Sequence, residues 1–136
     1  MGNRVVITGG GGFIGSHLVD SYVRDRYHVT VIDNFSTGEH FVDGYNKSLL
    51  PVDLSVSQDM SMIEQALEAA DIVFHLAASV GGIEANLNNP AKFYFDNLMM
   101  GANIIDLCHY FKVSKLVNWG TVCSYPKVIP VPFKED

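Results

Sequence analysis

The chain has 136 residues and is 48% apolar, enough for one packed domain. A net charge of −6 with no Lys/Arg cluster argues against a nucleic-acid partner, and no apolar run approaches membrane-spanning length. The two cysteines, Cys108 and Cys123, stand in unlike contexts and form neither a disulfide framework nor a CxxC metal site, which predicts a reducing cytoplasmic compartment.

The N-terminus enters a strand directly, so no leader segment is expected. Arg4-Val5-Val6-Ile7 is a short β-branched run that predicts a buried strand. Thr8 to His17 then carries Gly9, Gly10, Gly11, Gly12 and Gly15, and Ile14, Leu18, Val19 and Tyr22 follow at helical spacing. The glycines therefore sit on a strand-to-helix turn, the context in which a glycine pattern points to a dinucleotide. Gly9 can take a positive φ, Gly12 lets a pyrophosphate approach, and Gly15 lets helix and strand pack closely. The first N–H groups of the helix face the phosphate charge. Two glycine registers fit, Gly10-x-Gly12-x-x-Gly15 and Gly9-x-x-Gly12-x-x-Gly15.

The helix is expected from Ile14 to about Asp25, and His28 to Ile32 as a second strand ending at Asp33. Asp33 follows Gly15 by 18 residues, close to the ~20-residue offset at which an acid meets the adenosine ribose. Both ribose hydroxyls can donate to one carboxylate, whereas a 2′-phosphate is repelled by it. No basic residue follows in Asp33-Asn34-Phe35-Ser36-Thr37-Gly38, so the cofactor read from this segment is NAD rather than NADP.

Ser48 to Val52 is a weak third strand whose Pro51 suits a sheet edge. Ser57 or Ser61 is the expected cap of a helix near Met62 to Leu67. Ile72 to Leu76 predicts a buried parallel strand with the small Ala77 and Ala78 at its carboxyl end, where open α/β sheets bind ligands. His75 reads as a satisfied core histidine rather than a base. Ser79 to Ile83 is a loop over the expected pocket, and Pro90 opens a long helix from about Ala91 to Phe111. Phe93, Asn97, Met100, Ile104, Leu107 and Cys108 are placed to face the sheet, and Tyr94, Leu98, Ile105 and Tyr110 form a second apolar surface. Gly101 inside this helix costs on the order of 1 kcal/mol against alanine, so close packing is expected there. Leu116 to Trp119 is a fifth strand. The alternation predicts an α/β, doubly wound parallel sheet of the Rossmann type, with strand order 3-2-1-4-5.

The block Thr8-Gly9-x-x-Gly12-Phe13-Ile14-Gly15 resembles the TGxxGFIG signature of extended short-chain dehydrogenases/reductases, the NAD-dependent epimerases and dehydratases, and favours the second glycine register. Asp33 to Gly38 and His75-Leu76-Ala77-Ala78 resemble further elements of that family. Ser79 to Ile83 with Asn86 and Pro90, and Gly120 to Lys127, resemble its GDP-fucose synthase-like nucleotide-sugar enzymes. The resemblance implies cofactor contacts at Gly9, Gly12, Phe13, Ile14, Gly15, Asp33 and Asn34. It places Asp53 and Leu54 at the adenine ring, with a plain loop cap as the other reading of Asp53. Leu76, Ala77 and Ala78 border the cofactor, and the Asn97 side chain holds the neighbouring strand-end loop. Thr121 takes the position of a hydroxyl that orients the reacting sugar, and Cys123 that of a proton-transfer cysteine, or else of a buried inert thiol. Val122 departs from the family, where a second small polar residue is usual.

The family's catalytic Tyr-x-x-x-Lys is absent: none of the six tyrosines has lysine four positions later. The resemblance thus covers the whole chain, residues 1–136, but only the first part of the family's domain, without a substrate domain. It implies the NAD-binding portion of an enzyme that acts on a nucleotide sugar by hydride transfer at a sugar hydroxyl, inactive alone for want of its base. The other reading is a non-catalytic dinucleotide-binding module or truncated remnant. No metal is expected. The second apolar face of the long helix predicts a homodimer.

Overall fold

Valine and isoleucine dominate the short runs before the glycine turn, after the first helix and after residue 71, and each becomes a strand. Branched side chains are stiff at χ1 and pack well on a pleated surface. A computed structural model describes residues 4–37, 47–56, 60–121, 124–126 and 128–134. Within them lie β1 (Arg4–Thr8), α1 (Phe13–Arg24), β2 (His28–Ile32), β3 (Lys47–Leu50), α2 (Met60–Glu68), β4 (Ile72–His75), α3 (Ile83–Asn88), α4 (Pro90–Tyr110) and β5 (Lys115–Asn118).

The five strands form one parallel sheet in the order β3-β2-β1-β4-β5, as the sequence predicts. Period-two alternation sends successive side chains of β1 to opposite faces. Val5 and Ile7 join Val19 of α1 with Val29 and Val31 of β2. Val6 joins Ile32 and Val73 with Ile63 and Leu67 of α2 and Ile104 and Leu107 of α4. Full burial of side chains such as Ile63 and Ile104 is worth about 1.5–3 kcal/mol each. Packing of this kind, rather than end capping, holds the helices: neither Gly12 before α1 nor Asn89 before α4 supplies a side-chain cap.

Several details differ from the sequence reading. The loop over the pocket continues into α3, whose residues are not buried apart from a half-buried Ala85 and so show no apolar period to predict it from. It is held instead by Asn86, whose amide donates to the carbonyls of Gly81 (2.7 Å) and Gly82 (3.0 Å). β3 is an edge strand, but it ends at Leu50, so Pro51 follows the strand and removes no ladder hydrogen bond. Ser61 lies inside α2 and does not cap it, and Ser57 is outside the described residues. Gly101 is not explained by close packing: a Cβ built there meets nothing within 4 Å. Asn97 is exposed rather than turned to the sheet, because its amide is drawn to the loop after β4.

Register positions the site. Thr8, the last residue of β1, pairs with Ile32 on one side and with His75 on the other. The chain therefore leaves three adjacent strands side by side, at Gly9, Asp33 and Leu76, along the carboxyl edge where ligands of open α/β sheets bind.

Candidate functional site

The turn after β1 is fixed from both sides. Gly9 has φ +70°, and a Cβ there would stand 2.7 Å from the Ala77 nitrogen. Its N–H donates to the Ile32 carbonyl at 2.8 Å, and its carbonyl accepts from the Gly12 N–H at 3.1 Å. A Cβ on Gly15 would overlap the Gly9 carbonyl oxygen, so α1 starts flush against the turn only because Gly15 lacks one. Gly12 is different: a Cβ there would approach only the Gly9 oxygen, at 3.3 Å.

Asp33 is locked at the end of β2. One carboxylate oxygen accepts the Gly11 N–H and the other the Phe35 N–H, each at 2.8 Å. A carboxylate has about four acceptor positions, so these bonds leave room for further donors. Beside it, Asn34 donates to Asp53 at 2.9 Å, and the Ser55 N–H and hydroxyl donate to the other Asp53 oxygen at 2.9 and 2.6 Å. The Ser55 hydroxyl, then Asn34, hold the Asp53 carboxyl below the usual range against the opposing effect of burial. Asp53 is thus both a loop cap and a wall of the cleft.

Thr8 and His75 form a buried hub. The Thr8 hydroxyl oxygen accepts the N–H groups of Leu76 and Ala77, both at 3.2 Å. Both acceptor positions are then occupied, so the hydroxyl proton points to His75 Nδ1, 2.8 Å away. This assigns the neutral tautomer with its proton on Nε2, the core histidine the sequence suggests. Burial lowers the His75 pKa below its ordinary 6.5. A base with a depressed folded pKa contributes stability that is complete above the unfolded pKa and is lost as pH falls below about 6.5 toward the folded value. In urea titrations from pH 7.5 to pH 5 the protein should lose stability, and His75→Gln should flatten that dependence. An unchanged slope would remove His75 from the account.

These elements enclose a cleft of about 570 Å³. Of the residues singled out in the sequence, Gly9, Gly12, Phe13, Asp33, Asn34, Asp53, Leu54, Leu76, Ala77 and Ala78 line it. Gly15 lies behind the turn, and Ile14 is half-exposed on α1. Asn97 grips the strand-end loop: its Oδ1 accepts the Ser79 N–H and its Nδ2 donates to the Ser79 carbonyl, both at 2.8 Å. Thr121 stands exposed beyond β5, and its carbonyl accepts the Ser124 N–H and hydroxyl. Cys123 and Val122 are outside the described residues. The sequence reading missed Lys92, Asp96 and Met100 as lining residues. Their spacing of four along α4 puts them on one face, a signal obscured because only Met100 is apolar.

The described residues fit an adenine dinucleotide. The glycine turn leaves backbone close to the cleft, no side chain caps α1, Asp33 offers acceptors, and buried Val52, Leu54 and Met100 give an apolar slot. Among the described residues no group of three His, Cys, Asp or Glu side chains is placed to hold a metal ion. No described helix is long and apolar enough to cross a membrane.

A family model described as the NAD dependent epimerase/dehydratase family matches residues 5–136. GDP-L-fucose synthase of Azorhizobium caulinodans is 30% identical over 137 residues, spanning 98% of this chain and 38% of that protein. Among solved structures, UDP-N-acetylglucosamine 4-epimerase of Methanobrevibacter ruminantium, in complex with UDP-N-acetylmuramic acid, matches with a TM-score of 0.85 and 30% identity over 98% of this chain and 43% of that one. UDP-glucose 4-epimerase of Thermus thermophilus, in complex with NAD, matches with a TM-score of 0.72 and 32% identity over 83% of this chain and 36% of that one. The chain thus spans less than half the length of these relatives.

Proposed function

Because the chain belongs to the NAD dependent epimerase/dehydratase family, we propose that residues 1–136 are the NAD-binding portion of a nucleotide-sugar epimerase, dehydratase or reductase. The observation that carries the cofactor is Asp33, held by Gly11 of the glycine turn at the rim of the cleft. Gly9, Gly12, Phe13 and Ile14 present the start of α1 to the diphosphate, while Gly15 keeps the turn closed behind them. Asp33 and Asn34 receive the adenosine ribose. Asp53 and Leu54 meet the adenine, and Leu76, Ala77 and Ala78 border the second ribose. When bound, NAD supplies reversible oxidation of a sugar carbinol. Thr121 orients that hydroxyl, and Cys123 moves a proton during epimerisation. Asn97 keeps the loop after β4 in place. A reducing cytoplasm suits Cys108, a buried thiol pushed up to about 11 by burial.

Calorimetric titration tests this reading. NAD should bind, and NADP should bind at least about tenfold more weakly, because its extra phosphate meets the Asp33 carboxylate. Equal affinities, or no binding of either, would count against it. The sequence carries no Tyr-x-x-x-Lys, which favours a second reading in which this polypeptide by itself binds NAD without turnover. NADH formation from a nucleotide sugar would overturn that reading.

The partner at α4 is a second copy. Tyr94, Leu98 and Ile105 are exposed on one stripe, and Gly101 lies among them with open space where a side chain would be. The protein should sediment as a dimer at micromolar concentration, and Leu98→Glu should sediment as a monomer. A monomer before substitution refutes the dimer.

A further inference from the structure

The cleft is lined by three carboxylates, Asp33, Asp53 and Asp96, and among the described residues that line it Lys92 is the one basic side chain. Asp96 is 9% exposed, and Lys92 one turn earlier on α4 reaches it at 2.6 Å. Asp96 raises the Lys92 pKa first and most, and the charge of Asp53 adds a smaller part. Lys92 and Asp96 of α4 thus line the same cleft as Asp53 of the loop after β3. An exposed lysine–aspartate pair on a helix is worth little by itself, but here one partner is buried and both border the cleft.

Resting on the NAD reading above, we propose that Lys92 is the counter-charge of this cleft, offsetting its carboxylates and so setting the affinity for an anionic adenine dinucleotide. Asp96 is the positioning residue that keeps the ammonium at the cleft wall. The physical reason is Coulombic. A ligand carrying a diphosphate enters a cleft whose other side chains are negative or neutral, and the Lys92 charge lowers the work of bringing it in. The effect depends on ligand charge and not on a particular ligand atom.

A charge-graded ligand series tests this. The unaltered chain, Lys92→Met and Lys92→Arg are titrated with adenosine, which is neutral, with NAD, and with ADP-ribose, which keeps the diphosphate but lacks the positive nicotinamide ring. Lys92→Met should weaken NAD by about three- to tenfold, ADP-ribose by more, and adenosine by less than about twofold. Lys92→Arg should keep the unaltered affinities, and added salt should shrink the NAD loss. The double variant Lys92→Met/Asp96→Asn removes the cation together with one carboxylate and should recover most of the NAD affinity. Lys92 is 70% exposed, so the variants should fold, which their thermal transitions check. An equal loss for all three ligands, or none, overturns the proposal, as does a double variant no better than Lys92→Met. If the unaltered chain binds none of the three, the NAD reading falls and takes this proposal with it. If NAD binds equally to the unaltered chain and to Lys92→Met, only the role of Lys92 falls.

Discussion

Gly15→Ala should cost more than about 4 kcal/mol, a large part of the 5–15 kcal/mol typical of a whole domain. The added methyl overlaps the Gly9 carbonyl oxygen and comes within 2.7 Å of the Gly10 Cα. Neither neighbour can give way. Gly9 is fixed by its left-handed backbone and its bond to Ile32, and a Cβ of its own would already strike Ala77. The start of α1 would have to lift from the sheet and uncover Val19, which is 2% exposed. Gly12→Ala is the informative partner, since its methyl meets only the Gly9 oxygen, at 3.3 Å, and the residue borders the cleft. It should change stability by about 1 kcal/mol or less while weakening NAD binding strongly. Urea midpoints and calorimetry on the two variants separate support of the turn from contact with the ligand. Comparable midpoints for both would show that the turn can relax around Gly15.

Thr8→Val should destabilise by about 2–5 kcal/mol, although valine has nearly the same shape. The loss comes from orphaned groups, not from a cavity. The Ala77 N–H loses the Thr8 hydroxyl as its acceptor, and His75 Nδ1 loses its donor inside the core. Leu76 fares better because its N–H also reaches the Thr8 carbonyl, at 3.2 Å. Thr8→Ser keeps the hydroxyl and should recover most of the loss, which distinguishes a hydrogen-bond hub from a packing requirement. Equal stability of the valine variant and the parent would dismantle the hub.

The three central strands were legible because they announce themselves, whereas edge strands β3 (Lys47-Ser48-Leu49-Leu50) and β5 (Lys115-Leu116-Val117-Asn118) carry a weaker signal. Val5 to Ile7, Val29 to Ile32 and Ile72 to Val73 are β-branched throughout, Thr30 included. Parallel strands buried on both faces need such runs. The glycine turn was legible because Gly9 and Gly15 each meet a steric condition of the fold that no other residue satisfies. The lining face of α4 was not, because Lys92 and Asp96 look like a solvated pair until the fold brings them to the cleft that Asp53 also lines. α3 escaped notice for a related reason, since a helix held by one asparagine amide leaves no periodic trace. Gly101 misled in the other direction. A mid-helix glycine suggests contact within the chain, yet the space beside it is open.

The Asn97 amide makes α4 and the strand-end loop one mechanical part. Its oxygen and nitrogen clasp both backbone polar groups of Ser79, as a neighbouring strand would, while its nitrogen also donates to the Phe93 carbonyl of its own helix at 2.8 Å. The amide plane is rigid and the bonds are short, so the linkage behaves as a strut rather than a tether. A shift of α4 along its axis must either move Ser79 with it or break these bonds, and Ser79 borders the cleft. Leu98, the next residue, faces away from the sheet. Load applied to the outside of α4 therefore has a route to the loop at the mouth of the cleft through the Asn97 side chain, besides the α4 residues that line the cleft directly.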